Sequence, residues 1–251
     1  MINTFSFGSY ILVYNGQIYN TKELSETLKE NGFTLNSHSD TEVLLKSYIH
    51  YGKNVVNHLN GIFAFAIWDT NNNEIFLARD HFGVKPLFYT KIDETLVFSS
   101  EIKALFQYPG VKKVLNEQSI SELFGIGPAH TSGTTVFKNI YEIKPAHFGI
   151  FNKNGFNIKR YWKLKSEKHV DTFEETCEKL KFLLNDAITR QLVSDMPLCT
   201  FLSGGLDSSI ITKFASDYCE KQGLPPLDTY SIDYVDNDKN FVKSDFQPNS
   251  D

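Results

Sequence analysis

Residues 203–209 read SGGLDSS and combine residue types that can bind phosphate. An apolar run precedes them and apolar residues at helical spacing follow, so they predict a loop between a strand and a helix. The first N–H groups of a helix lack partners, and the helix dipole places positive potential there. Gly204 and Gly205 let the backbone approach an anion. Hydroxyl donors are added by Ser203, Ser208 and Ser209.

Asp207 sets this loop apart from a simple anion site. The loop holds no lysine and is therefore not a Walker loop. A carboxylate would repel bare phosphate, so Asp207 suggests either Mg²⁺ that bridges it to phosphate or a helix-capping role. The alternative is an ordinary Gly-Gly turn with a capping aspartate. The strand, loop and helix context favours the phosphate-binding interpretation.

The residues around this loop indicate the start of an α/β domain. Residues 163–172 are polar and predict a linker, after which Thr172 and Glu175 form a capping box. Apolar residues then recur every three or four positions, which predicts a long amphipathic helix. Cys177 lies on its apolar stripe and is expected to be a small buried residue rather than a reactive thiol. A further strand is predicted over residues 227–235.

Residues 1–162 show a different pattern, in which strands dominate. Bulky Phe and Ile alternate with alanine over residues 61–69, which predicts a strand that is covered on both faces. A helix is predicted over residues 21–31, and another begins at Ser39, which is placed to form a capping box with Glu42. The result is a sandwich of sheets with helices outside. The strands predicted here are 9–16, 61–69, 74–80, 85–90 and 95–101.

Composition narrows the class of function. The 251 residues carry a net charge of −5 without a run of Lys or Arg, so neither nucleic acid nor an acidic membrane surface is an expected partner. The three cysteines have no CxxC spacing, which favours a reducing cytoplasm. The seven histidines form no HxxxH or HExxH pair, and no protein-ligated metal is expected. A signal peptide and a membrane-spanning apolar run are both missing from the sequence.

The order of several motifs is more specific than any one of them. YNGQIYN, HSDTEV, GIFAFAIWD, LARDHFGVKPLFY, SSEIKAL and SGGLDSS follow one another along the chain. This order resembles the glutamine-dependent (glutamine-hydrolysing) asparagine synthetases, and SGGLDSS resembles the pyrophosphate loop of the N-type ATP pyrophosphatases. The resemblance implies an α+β N-terminal-nucleophile glutaminase domain with αββα layers over residues 1–162. A linker over 163–172 and the start of an α/β ATP pyrophosphatase domain over 173–251 would follow.

The family resemblance implies a carbon–nitrogen ligase. Such an enzyme activates the side-chain carboxylate of aspartate with ATP and Mg²⁺ as β-aspartyl-AMP, and ammonia from glutamine converts it to asparagine. Glutamine, aspartate and ATP are then the partners, and a homodimer is left open. Two alternatives also stay open: a related amidotransferase or synthetase that acts on another carboxylic acid, and a non-catalytic glutamine-binding module.

The resemblance also assigns roles to individual residues. Asn15 and Gly16 match the oxyanion donors, a side-chain amide and a backbone N–H. Together with Gln17 and Asp40 they match the glutamine-binding residues, and Asp40 matches the residue that holds the α-amino group. Gln17 stands where the family commonly has glutamate, so the substrate ammonium loses one charged partner. The residues that match the ATP site are Leu202, Ser203, Gly204, Gly205, Asp207, Ser208, Ser209 and Ile232; for Leu202 and Ile232 the alternative is a plain core strand residue.

Two features depart from the family pattern. Family members begin with Met-Cys and use the cysteine as nucleophile, with its own α-amino group as the base. Residue 2 is Ile2 here, and all three cysteines fall in the other domain, so no glutamine hydrolysis is expected from this chain alone. The sequence also stops at Asp251, short of the family's full synthetase domain, which predicts an internal fragment of a longer protein. Arg79, Asp80 and Lys85 match a family turn, RDxxGxKPL, to which no catalytic step is assigned.

Overall fold

The computed structural model describes residues 3–127, 131–194, 196–232, 235–236, 239 and 241–242. Ile2 and Asp251 lie outside the described residues. The chain divides into two compact units, one that ends at Ser166 and one that starts at Glu167. No helix among the described residues is both long and apolar enough to cross a membrane.

The first unit is built from strands and four helices in the part that is described. The strands are β1 (Asn3–Phe7), β2 (Tyr10–Ile18), β3 (Gly61–Asp69), β4 (Glu74–Arg79), β5 (Phe88–Ile92), β6 (Thr95–Ser99), β7 (Tyr141–Glu142), β8 (His147–Asn152) and β9 (Gly155–Arg160). The helices are α1 (Thr21–Glu30), α2 (Asp40–Tyr51), α3 (Ile102–Leu105) and α4 (Glu117–Ile126), and a 3₁₀ segment spans Gly52–Asn57.

Two sheets form the centre of this unit. The larger one has the order β1-β2-β3-β4-β8-β9 and the smaller one the order β6-β5-β7. Neighbouring strands in both sheets run antiparallel. The strands predicted over residues 61–69 and 74–80 are confirmed as the adjacent pair β3 and β4.

The alternation in β3 separates two hydrophobic cores, as the sequence predicts. Phe63 and Phe65 are buried on the face that packs against α1 and α2. Ala64 and Ala66 are buried on the opposite face, together with Leu87 and other residues at and near the smaller sheet. Small alanines allow the second sheet to approach closely, because they leave room for its side chains. With α3 packed against β5 and β6, the layers follow the expected αββα sandwich.

Two local predictions for this unit are wrong. Ser39 caps α2 by accepting a hydrogen bond from Thr41 N at 3.2 Å, but Glu42 does not complete a capping box. Its carboxylate is buried and binds Lys46 and the loop before the helix instead. The strand predicted from Lys85 begins later, at Phe88, because Lys85 N donates to Asp80 Oδ2 at 3.0 Å and belongs to the preceding turn.

The second unit contains α5 (Phe173–Thr189), β10 (Cys199–Phe201), α6 (Leu206–Lys221) and β11 (Asp228–Tyr230) in its described part. The capping box of Thr172 and Glu175 is confirmed at the start of α5. The strand predicted over residues 227–235 is shorter than expected, and residues 233–234 are outside the described part. Burial of Cys177 is contradicted, since its side chain is exposed and α5 has no buried residue among those described.

Candidate functional site

In the first unit, Asn15, Gly16 and Gln17 are consecutive residues of β2 and all three are half-buried. Asn15 Nδ2 donates to Ser100 Oγ at 3.3 Å, and Ser100 directly follows β6 of the smaller sheet. An amide nitrogen has two hydrogens, so this bond orients the Asn15 side chain and leaves its second N–H for another acceptor. Sequence reasoning gave Ser100 no role, although it lies in the motif SSEIKAL.

Gly16 lies where β2 and β3 approach each other closely. A Cβ atom on Gly16 would lie 2.2 Å from Ile62 O and 2.8 Å from Phe63 Cα, both of which are backbone atoms of β3. Glycine is therefore the residue that this approach accepts, because it has no Cβ atom. Its backbone stays in the strand beside Asn15.

Asp40 is held against β2 although it opens α2. Its Oδ2 atom accepts hydrogen bonds from Tyr14 Oη at 2.8 Å and from Ile18 N at 3.1 Å. Its Oδ1 atom has a long contact of 3.4 Å with Thr41 Oγ1. A carboxylate at a helix N-terminus is also stabilised by the helix dipole. The structure thus brings Asp40 to the strand that carries Asn15, Gly16 and Gln17.

A buried ion pair supports the loop in front of Asp40. Glu42 and Lys46 are 1% and 2% exposed, and Glu42 Oε1 lies 2.6 Å from Lys46 Nζ. Glu42 also accepts hydrogen bonds from Asn36 N at 2.9 Å and from Ser37 N at 2.7 Å, and Lys46 Nζ donates to Thr34 O. Residues 34–37 are therefore tied to α2 through two buried charges.

The pKa of Glu42 reflects these contacts. Burial by itself raises the pKa of a carboxyl group. Hydrogen bonds from Lys46, Ser37 and Asn36 outweigh that effect and lower the pKa of Glu42 from its ordinary 4.5 to about 2. The group is thus ionised at neutral pH and remains a strong acceptor for the loop.

Arg79 and Asp80 are buried at the start of the turn after β4, which continues to the half-buried Lys85. Asp80 is 1% exposed and accepts hydrogen bonds from the backbone N–H groups of Phe82, Val84 and Lys85 at 3.0 to 3.1 Å. Arg79 donates to the backbone oxygens of Lys85, Gly83 and Ile143. These contacts account for both buried charges as supports of the backbone after β4.

In the second unit, residues 203–209 connect β10 to α6, as the pattern SGGLDSS predicts. Gly204 has a φ of +79°, a conformation that favours glycine, and a Cβ atom there would meet nothing within 4 Å. Gly205 is the N-cap of α6 and no side chain caps the helix. The first helical bond runs from Ser209 N to Gly205 O at 3.1 Å, so the N–H groups of residues 206–208 come before it.

The serine side chains of the loop form hydrogen bonds with one another and with the loop backbone. Ser203 Oγ lies 3.1 Å from Ser208 Oγ, while Ser208 and Ser209 donate to Gly205 O at 3.1 and 2.8 Å. Asp207 lies in the first turn of α6, is exposed and has no ion-pair or hydrogen-bond partner among the described residues. It does not cap the helix, contrary to the alternative that the sequence left open.

A metal ion could be held at this loop jointly by Asp207 and a ligand. Among the described residues, no group of three or more His, Cys, Asp and Glu side chains is arranged to bind a metal. Asp207 fits Mg²⁺ that is held jointly by its carboxylate and by phosphate oxygens, because Mg²⁺ is commonly bound through one or two carboxylates plus substrate phosphates.

Leu202 and Ile232 lie at the same end of two adjacent strands. β10 and β11 pair in parallel, and Leu202 N donates to Tyr230 O at 2.9 Å. Ligands of open α/β sheets bind beyond the carboxyl ends of such strands. Ile232 is 78% exposed in the described unit and is not a core strand residue there.

Comparison with known proteins reveals two family matches. Residues 4–162 match the glutamine amidotransferase domain family, and residues 179–247 match the asparagine synthase family. The chain is 53% identical over all of its 251 residues to asparagine synthetase [glutamine-hydrolyzing] 3 of Bacillus subtilis (strain 168), and spans 41% of that protein. It is 37% identical over 229 residues to asparagine synthetase [glutamine-hydrolyzing] 2 of the same organism, covering 86% of this chain and 30% of that protein.

Among solved structures, glutamine phosphoribosylpyrophosphate amidotransferase from B. subtilis is 19% identical to this chain, with a TM-score of 0.44. The similarity covers 97% of this chain and 50% of that one. The family assignment rests on the family matches, because the first of them covers residues 4–162 and so nearly all of the sandwich. Residues 4–162 place this chain in the glutamine amidotransferase domain family, and the curated relatives that it resembles are glutamine-hydrolysing asparagine synthetases, of which it spans less than half.

Proposed function

We propose that the chain supplies the glutamine-binding site and the pyrophosphate loop of an ATP-dependent asparagine synthetase. Such an enzyme makes asparagine from aspartate through β-aspartyl-AMP, with glutamine as the nitrogen donor. The observation that carries the proposal is the convergence of Asn15, Gly16 and the anchored Asp40 on strand β2. The loop of residues 203–209 in a separate unit supports it, as does similarity to synthetases of which the chain spans less than half.

The proposed domain limits follow from the same findings. We assign residues 1–162 to the glutaminase domain, 163–172 to a linker and 173–251 to the start of the synthetase domain. The family matches over residues 4–162 and 179–247, and the division between Ser166 and Glu167, support these limits. Use of Mg²⁺, a homodimer and a cytoplasmic location stay predictions.

In the first unit, charge complementarity would select glutamine. The carboxylate of Asp40 binds the α-ammonium group, and Gln17 contributes a neutral amide beside it. Asn15 Nδ2 and the Gly16 N–H donate hydrogen bonds to the amide oxygen, where negative charge develops when a nucleophile attacks the amide carbon. Preformed donors of this kind stabilise the transition state more than the ground state.

In the second unit, the N-terminus of α6 would bind the phosphates of ATP. The N–H groups of residues 206–208 face an anion with the favourable end of the helix dipole. Ser203, Ser208 and Ser209 would exchange their internal hydrogen bonds for bonds to phosphate oxygens, and Asp207 would hold Mg²⁺. Leu202 and Ile232 contact the adenylate at the strand ends. Bound Mg²⁺ would neutralise charge on the pyrophosphate leaving group.

A non-catalytic glutamine-binding module is the second candidate. It would use the same glutamine-binding residues, Asn15, Gly16 and Asp40, as the first candidate and would require no nucleophile. Both candidates bind glutamine, but they differ in what the synthetase half does. An ATP–pyrophosphate exchange assay on the longest native form of the protein separates them, because the ligase exchanges label in the presence of aspartate and the module does not. Exchange with another carboxylic acid alone would instead favour the related synthetases.

Asp40→Asn tests the glutamine site. We expect the affinity of the chain for glutamine to fall about tenfold or more, because hydrogen bonds to charged groups contribute about 1.5–3 kcal/mol. Isothermal titration calorimetry measures the change. Asp93→Asn is the matched control, since Asp93 lies in the turn between β5 and β6 with a φ of +51°, which asparagine also accepts. Equal affinities for Asp40→Asn and the unmodified chain would refute the assigned role.

Gly204→Ala tests the nucleotide loop. Gly204 and Gly223 both have positive φ, +79° and +66°, and neither has an atom within 4 Å of an added Cβ. Alanine should therefore strain both sites by about 1–2 kcal/mol, but only Gly204→Ala should move the loop backbone that faces phosphate. We expect weaker MgATP binding for Gly204→Ala and unchanged binding for Gly223→Ala, measured by titration calorimetry. Similar losses in both variants would contradict the proposed loop.

A further inference from the structure

Tyr14 is a buried tyrosine whose hydroxyl group serves Asp40. Its side chain is 1% exposed and belongs to the core between the larger sheet and α2. Its hydroxyl donates to Asp40 Oδ2 at 2.8 Å, across 26 residues of sequence. Nothing in the assigned reaction requires a tyrosine here, so the contact needs its own explanation.

The donors to Asp40 flank the residues of the candidate glutamine site. Tyr14 directly precedes Asn15, and Ile18, whose N–H donates to the same Oδ2 atom, directly follows Gln17. One carboxylate oxygen is thus held twice by a single rigid strand. The other oxygen, Oδ1, has only the 3.4 Å contact with Thr41 Oγ1 among the described residues and remains available to a cationic ligand.

The hydroxyl of Tyr14 is a permanent donor. Burial, followed by the nearby negative charge of Asp40, raises the pKa of Tyr14 far above its ordinary value of 10.0. The hydroxyl group therefore keeps its proton at neutral pH. Hydrogen bonds to an ionised acceptor are stronger and shorter than those between neutral groups, so this donor restrains the carboxylate firmly.

Gly16 makes the path of the tyrosine ring possible. A Cβ atom on Gly16 would lie 2.8 Å from Tyr14 Cε2, so the ring lies directly along the strand beside this glycine. The same short segment thus provides the oxyanion donors, the space for the ring and the anchor of the carboxylate. Strand geometry then sets the separation between Asp40 and the donors on Asn15 and Gly16.

We propose that Tyr14 is a positioning residue that determines specificity for the α-ammonium group of the amide substrate. By holding Asp40 Oδ2, Tyr14 places Oδ1 at a set distance from the oxyanion donors. One ligand can then bind Oδ1 with its ammonium group and the donors with its amide oxygen. This inference rests on the proposed glutamine site and goes beyond it, because it makes selectivity depend on a residue that does not contact the ligand. A phenylalanine would keep the ring and its packing but release the carboxylate.

Tyr14→Phe, measured with two ligands, tests the inference. The ligands are L-glutamine and 4-carbamoylbutanoate, which has the same amide and carboxylate but lacks the α-amino group. We expect glutamine affinity to fall about tenfold or more, since a hydrogen bond to a charged group is lost, while affinity for 4-carbamoylbutanoate changes less than twofold. Calorimetric titration of the 251-residue chain gives both affinities. Adding Asp40→Asn to Tyr14→Phe should cause no further loss of selectivity beyond that of Asp40→Asn alone.

Tyr48→Phe is the matched control. Tyr48 is 4% exposed in the same core, and its hydroxyl makes no hydrogen bond with any described residue. We expect its removal to leave the preference for glutamine unchanged. Asp40→Glu keeps the charge but moves the carboxylate, and it should lose the same selectivity as Tyr14→Phe. It therefore tests positioning even if Tyr14→Phe folds poorly.

Each outcome decides between the interpretations. Equal weakening of both ligands in Tyr14→Phe would show a purely structural role and overturn the inference. Unchanged selectivity in both Tyr14→Phe and Asp40→Glu would overturn it as well, while the proposed glutamine site would stand. If the unmodified chain preferred neither ligand, the proposed site itself would fail, and the inference with it.

Discussion

Gly16→Ala is expected to destabilise the first unit by about 3 kcal/mol or more and to abolish glutamine binding. The added methyl group would lie 2.2 Å from Ile62 O and 2.8 Å from Phe63 Cα. Both atoms belong to the backbone of β3, which pairs with β2 here, is held by the hydrogen bond from Asp80 N to Phe63 O, and pairs with β4 from Ala64 onward. The strand therefore cannot move aside without breaking these contacts. The substitution also presses on the ring of Tyr14, so the anchor of Asp40 is lost along with the strand geometry.

Urea denaturation followed by tryptophan fluorescence measures this effect. Both tryptophans of the chain, Trp68 and Trp162, lie in the first unit, so the signal reports that unit alone. Gly125→Ala is the control, because Gly125 lies in α4, has no positive φ and has nothing within 4 Å of an added Cβ. Alanine in that helix should be neutral or stabilise by up to about 1 kcal/mol. A Gly16→Ala chain within 1 kcal/mol of the unmodified protein would refute the close approach of β2 and β3.

Glu42→Ala is expected to cost about 3–5 kcal/mol of folding free energy, because it leaves the buried ammonium of Lys46 without its charge partner. Lys46 is 2% exposed and has Thr34 O as its remaining acceptor. The backbone N–H groups of Asn36 and Ser37 would also lose their acceptor. Since these residues lead into Asp40, glutamine binding should weaken too.

Two variants show whether the charge pair itself is responsible. Glu94→Ala removes an acid that pairs with Lys91 at the surface, 92% exposed, and should change stability by no more than about 1 kcal/mol. Combining Glu42→Met with Lys46→Met replaces both charges by apolar side chains and should recover most of the loss, because no unpaired charge stays buried. A double variant as unstable as Glu42→Ala would contradict this explanation.

The same carboxyl group predicts acid sensitivity. Because the pKa of Glu42 is about 2 in the folded state and 4.5 ordinarily, its ionised form stabilises the fold above pH 4.5. That contribution is lost as the pH falls from 4.5 toward 2, where the folded protein must also take up the proton. Stability measured across this range should therefore decline less steeply with falling pH in the double Met variant than in the unmodified chain.

Much of the architecture follows from local pattern. The alternation in residues 61–69, the strand pattern of residues 74–80 and the cap at Thr172 each depend on neighbours in sequence, and the structure confirms β3, β4 and α5 there. The SGGLDSS loop likewise lies between a strand and a helix. The hydrophobic periods of strands and helices, 2 and 3.6 residues, and the capping of helices depend on residues only a few positions apart. They can therefore be recognised from the sequence alone.

Features that depend on contacts between residues distant in the sequence could not be predicted in this way. Strands β8 and β9 went unpredicted although Asn154-Gly155 is a hairpin signal, because both strands are only partly buried and β9 lies at the sheet edge. Cys177 was expected to be buried because its helix stripe is apolar, but periodicity shows which face is apolar and not what covers it.

The candidate site likewise has features that the sequence predicted and features that only the tertiary structure decided. Motif order predicted which residues form the sites, namely Asn15, Gly16, Asp40 and residues 203–209. Tertiary packing was needed to show how they are held. Glu42 forms a buried ion pair with Lys46 instead of the predicted capping box, and the hydroxyl of Tyr14 binds Asp40, which is 26 residues away in the sequence. The physical reason is that desolvation and hydrogen bonding of buried charges depend on which groups the whole fold brings within about 3 Å, whereas caps and periodicity depend on the adjacent turn of chain.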